Sequence, residues 1–400
     1  MLTGSSASRC PHASTRHCKI RKVTFVAKRL VDLFSDASLK LNECLLERRE
    51  EIRCMLAGLV SGLSVNFVGM HGTAKSDMCR GLARCIGGAN YFEYCFYKET
   101  TVDEIFGPLD IKNYDKMERL VEGFAPTAHV IFWDEFWNAS GATQNALHSL
   151  RNERKIRNGR QIIECPLLFE MGASNLWPIG EGFENSGAAF DRFAIRKEVR
   201  RCSPVSWEPL CFGDVPSVNS ITPVMNIASV TQAQTAAASL DFSDDAVDAL
   251  LNIFSKLESE GIQISERRRV WACRIAKASA WLAGNNDVQP CNLDILKHVL
   301  WNHPVEQPPK VAKIVGEISD PIGMHISDLI QEIEECLSKP CFQGRLNMAD
   351  PEFKVNFQKM SDTYKKLDGM KNSGNADAKA AIEIYRNRVR IITTTALSRK

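Results

Sequence analysis

The stretch Gly69-Met70-His71-Gly72-Thr73-Ala74-Lys75-Ser76 decides how this chain is organised. It follows an apolar run at residues 65–68 and precedes a segment with helical periodicity, so it connects a predicted strand to a predicted helix. In such a loop, backbone N–H groups and the helix N-terminus surround phosphate groups. Lys75 would then reach the β- and γ-phosphates of ATP, while the Ser76 hydroxyl would coordinate Mg²⁺. Because Ala74 stands where the strict motif has glycine, the motif alone leaves open an ordinary glycine-containing turn before a helix.

Two acidic residues end another predicted strand. The apolar run at residues 130–133 is followed by Asp134 and Glu135. Acidic side chains at the carboxyl end of a strand lie on the ligand side of an α/β sheet. Asp134 would bind Mg²⁺, and Glu135 would orient and deprotonate the attacking water. A solvated strand end is the alternative, which the flanking Trp133 and Phe136 disfavour because they indicate a covered site.

Three further polar features come later in the chain. Asn175 follows the predicted strand at residues 167–173, where its amide could donate to a γ-phosphate, although asparagine at a strand end is usually a turn former. Arg192 follows an aspartate and would ordinarily form a local ion pair. The cationic run at residues 266–269 opens a predicted helix, and each cation there opposes the helix macrodipole by roughly 0.3–1 kcal/mol. A bound triphosphate would compensate these charges.

The order of apolar runs predicts an α/β fold followed by helical regions. Short apolar runs alternate with helical segments, which indicates a parallel sheet covered by helices. The predicted strands lie at residues 65–68, 91–97, 129–133, 167–173 and 193–199. Two predicted helices precede them within residues 19–59, separated at Ser35-Asp36.

The chain divides by composition into five predicted segments. They are a basic leader with the first helix (1–34), an α/β nucleotide-binding domain (35–200), a Pro-, Ser- and Gly-rich linker (201–224), a helical domain (225–303) and a C-terminal helical region (304–400). Within the last segment, amphipathic runs at residues 326–337 and 357–389 predict helices.

Composition and charge exclude several classes of protein. With 400 residues, 44% of them hydrophobic, the chain can bury a sizeable core, and its net charge of +2 demands neither nucleic acid nor an acidic membrane as partner. Fourteen scattered cysteines without a C-x-x-C pair indicate reduced thiols. No apolar stretch is long enough to span a membrane, and because the thiols read as reduced and cytosolic, we expect a cytoplasmic protein. The basic residues 1–31 resemble a transit peptide, but a solvated leader is the favoured interpretation.

Together these motifs closely resemble the MoxR family of AAA+ ATPases, in particular its RavA-like branch, over about residues 45–333. The matching pieces are Gly72-Thr73-Ala74-Lys75-Ser76, Glu104-Ile105-Phe106-Gly107-Pro108-Leu109, Asp134-Glu135, Asn152-Glu153-Arg154, Arg157-Asn158-Gly159, Ala173-Ser174-Asn175, Asp191-Arg192-Phe193 and Ser265-Glu266-Arg267-Arg268. Ala74 is then a family trait, whereas Met70-His71 replaces the family's usual Pro-Pro. Residues 155–163 fit the family's hairpin, with Asn158-Gly159 as its turn.

The resemblance implies an AAA+ P-loop core, a helical lid, and a role for each polar feature. Asn175 would be sensor 1, and Arg192 would be the arginine finger that acts on a neighbouring subunit's nucleotide. Arg267 would be sensor 2, with Arg268 as the fallback. A finger acting on a neighbour implies a homo-oligomeric ring, usually a hexamer, that uses ATP and Mg²⁺. Such proteins resemble chaperone-like remodellers, often partnered with a protein bearing a von Willebrand factor A domain.

Three functions stay open from the sequence. The favoured one is a motor that couples ATP hydrolysis to remodelling or activating a protein partner. A nucleotide-gated assembly module with little turnover is the second, and the presence of Glu135 and Arg192 argues against it. A nucleic-acid-directed ATPase is the third; only the basic leader supports it, so we do not expect nucleic acid as a partner.

Overall fold

A computed structural model of the chain describes residues 30–180, 187–203, 206–337 and 350–370, together with residues 339, 382 and 386. The predicted leader lies outside these residues except for its end at residues 30 and 31. Most of the predicted run at 357–389 beyond residue 370 also lies outside them. Within the described ranges, no helix is both long enough and apolar enough to cross a membrane.

Five parallel strands form the central sheet, and two more form a hairpin. These seven strands are β1 (Val65–Val68), β2 (Tyr91–Cys95), β3 (Val130–Asp134), β4 (Lys155–Asn158), β5 (Gln161–Glu164), β6 (Phe169–Ser174) and β7 (Ile195–Glu198), and four strands of two residues each pair elsewhere in the described residues. The sheet order is β2-β3-β6-β1-β7. The inner strands β1, β3 and β6 are buried at nearly every position, as expected of parallel strands covered on both faces. The predicted α/β class is confirmed, and each predicted strand is present within two residues of its predicted bounds.

Helices cover the sheet and continue the chain beyond it. Residues 30–44 form α1, which is followed by α2 (Arg49–Ser61), α3 (Lys75–Arg84), α4 (Val102–Phe106), α5 (Gly141–Ala146), α6 (Gly187–Asp191), α7 (Trp207–Phe212), α8 (Ile227–Ala238), α9 (Asp244–Ser259), α10 (Glu266–Leu282), α11 (Gln307–Ser319), α12 (Pro321–Leu337) and α13 (Pro351–Gly369). Helix α2 packs against β1, β6 and β7, while α3 packs against β3 and β6. The strand that precedes the phosphate motif, β1, is buried at all four of its positions.

The break between α1 and α2 lies at residues 45–48, so the predicted break at Ser35-Asp36 was wrong. Ser35 and Asp36 are exposed on the solvated side of α1. The buried face of the helix continues past them with Phe34, Ala37 and Leu41. A polar pair on the solvated side does not interrupt a helix whose apolar stripe continues.

The hairpin of β4 and β5 is present, but its turn lies one residue later than predicted. Asn158 pairs with Gln161, so the turn residues are Gly159 and Arg160. Gly159 has a φ of +58°, which glycine adopts without steric cost. The buried Asn158 side chain instead bonds the backbone of Arg119, accepting from its N–H at 2.6 Å and donating to its carbonyl at 3.2 Å. Asn158 therefore anchors the hairpin to the loop that precedes β3.

The predicted linker at residues 201–224 contains regular structure. Helix α7 and a 3₁₀ turn at Val218–Ser220 lie within its described part. By packing, the described part of the chain divides into two compact units. The first contains its residues up to 243 with 264–288 and 298–304, and the second contains 244–263, 289–297 and its residues from 305 onward. The predicted domain boundaries were drawn from composition, and they stay a prediction.

The second unit is built from helices. Helix α11 packs against α9 and α12, and α12 packs against α13. Helices α12 and α13 share an apolar core that includes Ile326, Leu329, Ile333, Met360 and Leu367. The predicted amphipathic run at residues 326–337 lies in α12.

Candidate nucleotide-binding site

The phosphate loop, residues 69–76, joins β1 to α3 through two left-handed backbone positions. Gly72 has a φ of +74° and Ala74 a φ of +63°. Glycine adopts such a conformation freely, whereas an L-residue pays roughly 1–2 kcal/mol. Gly69 is required for a different reason, because a Cβ there would lie 2.2 Å from the carbonyl oxygen of Val199. The loop therefore holds a strained shape against the strand end beside it.

A cavity of about 260 Å³ collects side chains from three strand ends. Residues 71–77 line it from the phosphate loop and the start of α3, Asp134 and Glu135 from the end of β3, and Asn175 from the end of β6. Carboxyl ends of parallel strands meet at one edge of a sheet, which is where α/β proteins bind ligands. The structure thus brings the phosphate loop, both acids and Asn175 together.

Lys75 supplies the cation of this cavity. Its Nζ donates to the carbonyls of Gly69 at 2.6 Å and Met70 at 3.0 Å, and to Oδ1 of Asn175 at 3.3 Å. Burial lowers the pKa of Lys75, and the two nearby carboxylates oppose that change. All three hydrogen-bond acceptors are neutral carbonyl or amide oxygens, so none of these bonds neutralises the ammonium, which can attract phosphate oxygens.

Asp134 and Glu135 are half-buried carboxylates with raised pKa values. Burial raises the pKa of both groups, and the charge of Asp134 raises that of Glu135 further. The charges of Lys75 and His71 act in the opposite direction. Glu135 also has a φ of +50°, a strained conformation for a residue with a side chain. The nearby positive charges do not fully offset the negative charges of these two carboxylates, and a bound cation would do so.

The available oxygen donors fit Mg²⁺ when a nucleotide supplies further ligands. Within the described residues, no group of three His, Cys, Asp or Glu side chains is arranged to hold a metal ion. Mg²⁺ is commonly held by one or two carboxylates together with substrate phosphates and water. The Asp134 carboxylate and the Ser76 hydroxyl both line the cavity and are donors of this kind.

Asn175 connects the cation to the second carboxylate. Its Oδ1 accepts from Lys75, and its Nδ2 donates to Oε1 of Glu135. Considered by itself in the sequence, this asparagine was better explained as a turn former. Its contacts with two functional side chains favour the role that the family resemblance implies, in which the amide positions the γ-phosphate or the attacking water.

Arg268 is buried, and its guanidinium is engaged within its own chain. It donates to the backbone carbonyls of Asp191 (2.9 Å), Phe193 (3.2 Å), Ala194 (3.3 Å) and Val299 (2.7 Å). Burial lowers the pKa of Arg268 to about 10, although the Asp191 carboxylate opposes this. Arg268 does not line the cavity. The prediction that Arg268 binds ATP is therefore disfavoured, because its donors already hold the backbone around β7.

Arg267 lies beside Arg192. Nη1 of Arg267 pairs with Oδ2 of Asp191 at 3.3 Å, and about half of the Arg267 side chain is exposed. Burial lowers the pKa of Arg192, and the positive charge of Arg267 lowers it further. Neither arginine is among the residues that line the cavity of its own chain. The structure therefore places the predicted finger and the predicted sensor 2 together around one aspartate, and not at the phosphate loop.

A buried ion pair that sequence reasoning missed supports the strand carrying the acids. Glu170 of β6 pairs with Arg151, and both side chains are almost completely inaccessible. Oε1 of Glu170 also accepts from Nε1 of Trp133 at 2.8 Å. The guanidinium lies over the rings of Phe193, at 4.1 Å, and Phe136, at 5.0 Å. A lone acidic residue inside an apolar strand was the available signal.

Comparisons with known proteins agree with this geometry. Residues 32–212 match the family model of the MoxR domain in MoxR-vWA-beta-propeller ternary systems, and residues 245–315 match that of the AAA lid domain. Two uncharacterized proteins of Methanocaldococcus jannaschii are similar: one is 39% identical over 67% of this chain and 71% of its own length. The other is 34% identical over 74% of this chain and 77% of its own length.

A solved structure shows the same fold. A candidate ATPase from Cytophaga hutchinsonii superposes with a TM-score of 0.61 at 16% identity, covering 75% of this chain and 97% of that one. An identity this low shows the fold alone. The two family models carry the assignment further, since one covers the phosphate loop, the paired acids and Asn175, and the other covers the run at residues 266–269. The chain belongs to the MoxR family of AAA+ ATPases.

Proposed function

We propose that this protein hydrolyses ATP with Mg²⁺ as a ring-forming motor that remodels or activates a protein partner. The observation that carries the proposal is the cavity in which one ammonium, two carboxylates and one amide converge beside a strand-loop-helix phosphate motif. Each group has a task in phosphoryl transfer, and the family match supports ATPase chemistry.

The residues divide this task as follows. Lys75 and the backbone N–H groups of the phosphate loop bind and orient the phosphates. The Ser76 hydroxyl and the Asp134 carboxylate would hold Mg²⁺, which neutralises phosphate charge when it is bound. Glu135 takes a proton from the attacking water, for which its raised pKa makes it a better base. Asn175 holds the Glu135 carboxylate in place through its amide.

The purified chain should release phosphate from ATP in a strictly Mg²⁺-dependent reaction. Chelation with EDTA should abolish the release, and added Mg²⁺ should restore it, because no described cluster of protein side chains can retain the metal alone. A phosphate-release assay measures this directly. Phosphate release that is equal with and without EDTA would contradict the assignment of Asp134 and Ser76.

For the ring, we propose that Arg192 is the arginine finger and that Arg267 acts beside it. Both arginines surround Asp191, and neither lines the cavity of its own chain. A guanidinium there contributes to hydrolysis when it meets the nucleotide of a neighbouring subunit. The assignment of Arg267 as sensor 2 over its own nucleotide is the alternative, which the Asp191 contact disfavours.

Arg267→Ala should lower the turnover of ATP by roughly 10- to 100-fold, the effect of one charge-assisted hydrogen bond. Its dissociation constants for ATP and ADP should stay near those of the wild type, because Arg267 does not line the cavity. Arg269→Ala, in the same helical turn, is the matched control. An ATP affinity that falls much more than the ADP affinity would instead place Arg267 over its own nucleotide.

The partner is proposed from the family. The matching family model is named for systems that combine a MoxR domain with a vWA protein and a β-propeller. We therefore propose a client that bears a von Willebrand factor A domain, a RavA-like mode of action, a hexameric ring and a cytoplasmic location. Co-purification of this chain with the products of neighbouring genes tests the choice of client.

A further inference from the structure

Arg48 contacts the phosphate loop from a segment outside the motif. Its Nε donates to the carbonyl oxygen of Thr73 at 3.2 Å, although the two residues are 25 positions apart. The arginine is only 5% exposed, and it is not among the residues that line the cavity. It therefore holds the loop from behind and does not meet the phosphates itself.

This contact determines the direction of one peptide group in the loop. In a planar trans peptide the C=O and the following N–H point in opposite directions. Fixing the Thr73 carbonyl therefore also fixes the N–H of Ala74, a cavity-lining residue whose left-handed backbone is strained. A strained conformation persists only where its surroundings hold it.

Glu47, the residue before Arg48, is anchored to the segment that follows the last strand. Its Oε2 accepts from the backbone N–H of Ser203 at 2.8 Å. Its Oε1 accepts from the hydroxyl of Ser206 at 2.6 Å and from that of Ser203. Burial acts to raise the pKa of Glu47, but these hydrogen bonds outweigh it and lower the pKa, so the carboxylate is charged at neutral pH. Glu47 also has a φ of +55°, a second strained position in this region.

The same segment touches the phosphate loop directly. The N–H of Val199 donates to the carbonyl of Val68 at 2.8 Å, and the carbonyl of Val199 lies against Gly69. The thiol of Cys202 contacts the carbonyl of Leu46 at 3.5 Å. Hydrogen bonds thus join Thr73 of the loop to Arg48, residues 46 and 47 to residues 202, 203 and 206, and Val199 to Val68 at the end of β1.

We propose that Arg48 is a positioning residue for nucleotide binding and that Glu47, through Ser203 and Ser206, holds Arg48 in register. Glu47 and Arg48 form a brace behind the phosphate loop. The proposal rests on the proposed function, because it concerns the affinity of the same site. Its distinctive consequence is that serines which line no part of the cavity set the affinity for nucleotide.

The affinity for ADP tests the brace, because ADP is not consumed. Arg48→Ala should weaken ADP binding roughly 10- to 100-fold, the usual effect of losing a hydrogen bond to a charged group. Arg48→Lys keeps a donor and should recover part of the loss. The double variant Ser203→Ala/Ser206→Ala should weaken binding roughly 3- to 10-fold. Arg49→Ala, at the exposed neighbouring arginine, is the matched control and should bind as the wild type does.

A double-mutant cycle separates positioning from general destabilisation. If the serines act through Arg48, substituting them in the Arg48→Ala background should weaken ADP binding by a smaller factor than substituting them in the wild type. Full additivity, or ADP binding by Arg48→Ala within twofold of the wild type, would overturn the brace. Failure of the folded wild type to bind ADP would overturn the proposed function, and the brace with it. A Lys75→Ala variant that loses ADP while Arg48→Ala retains it would overturn the brace alone.

Discussion

Glu135→Gln should bind ATP at least as tightly as the wild type and hydrolyse it roughly 10²–10⁴-fold more slowly, the usual contribution of a general base. The substitution keeps the shape of the side chain and an oxygen that can accept from Asn175. It also removes one of two neighbouring carboxylate charges, whose repulsion raises the pKa of Glu135 and opposes binding of a polyphosphate. The substitution therefore removes the general base and leaves the other groups of the site in place.

Lys75→Ala should show the reverse pattern, with binding lost before chemistry can be measured. Removing the ammonium leaves the phosphates facing two carboxylates, and truncating one partner of a buried charge pair costs about 2–5 kcal/mol. ATP affinity should therefore fall by roughly 10²-fold or more. Titration with a fluorescent nucleotide and a phosphate-release assay report binding and turnover separately.

Matched variants on the surface control for general effects. Glu122→Gln and Lys98→Ala change the same residue types at exposed positions outside the cavity, and both should behave as the wild type does. Wild-type turnover by Glu135→Gln would remove this residue from the chemistry. Unchanged ATP affinity in Lys75→Ala would show that the loop does not hold the phosphates.

Arg192→Ala should lower turnover by roughly 10³-fold or more, since an arginine finger contributes 10³–10⁵ in related phosphoryl transfer. The loss should be rescued by a second inactive variant. Arg192→Ala subunits retain an intact phosphate loop, and Lys75→Ala subunits retain the finger. A mixture should recover activity at interfaces where the first kind holds the nucleotide and the second supplies Arg192.

The mixing experiment needs evidence of assembly and a surface control. Light scattering shows whether rings form, and energy transfer between labelled subunits shows whether the two variants share them. Arg84→Ala, at an exposed position on α3, should keep full activity by itself. Mixed rings that stay inactive would argue that Arg192 does not act on a neighbour.

The sequence was most informative where local pattern and chemistry coincide. Three of the four residues at 65–68 are apolar and all four are buried, as expected of a strand covered on both faces, and the phosphate motif that follows this strand is specific. The same reasoning found β3 with Asp134 and Glu135. Strand ends were less certain by one or two residues, because the last backbone hydrogen bonds depend on the neighbouring strand.

What the sequence could not show depended on contacts between distant segments. Arg267 and Arg268 are adjacent and chemically equal, yet one is half exposed and the other is buried among backbone carbonyls, three of which precede β7. Only the packing of α10 decides between them. The sequence around Arg48 did not indicate its role for the same reason, because only the tertiary fold brings Arg48 to the Thr73 carbonyl. Ser35-Asp36 was misread because the buried face of α1 continues past it.

The ion pair between Glu170 and Arg151 restricts how this protein can change over evolutionary time. Loss of either member alone would leave the other charge unpaired in the core, at a cost of about 3–5 kcal/mol. Loss of Glu170 would also remove the acceptor of the Trp133 indole N–H. Replacement of both by apolar residues of similar volume can be nearly neutral. A lineage can therefore keep both or exchange both, but it must cross a destabilised intermediate to do so. Glu170 of β6, which also holds Trp133 of the neighbouring β3, can therefore change only together with Arg151, whereas nearby surface positions can change one at a time.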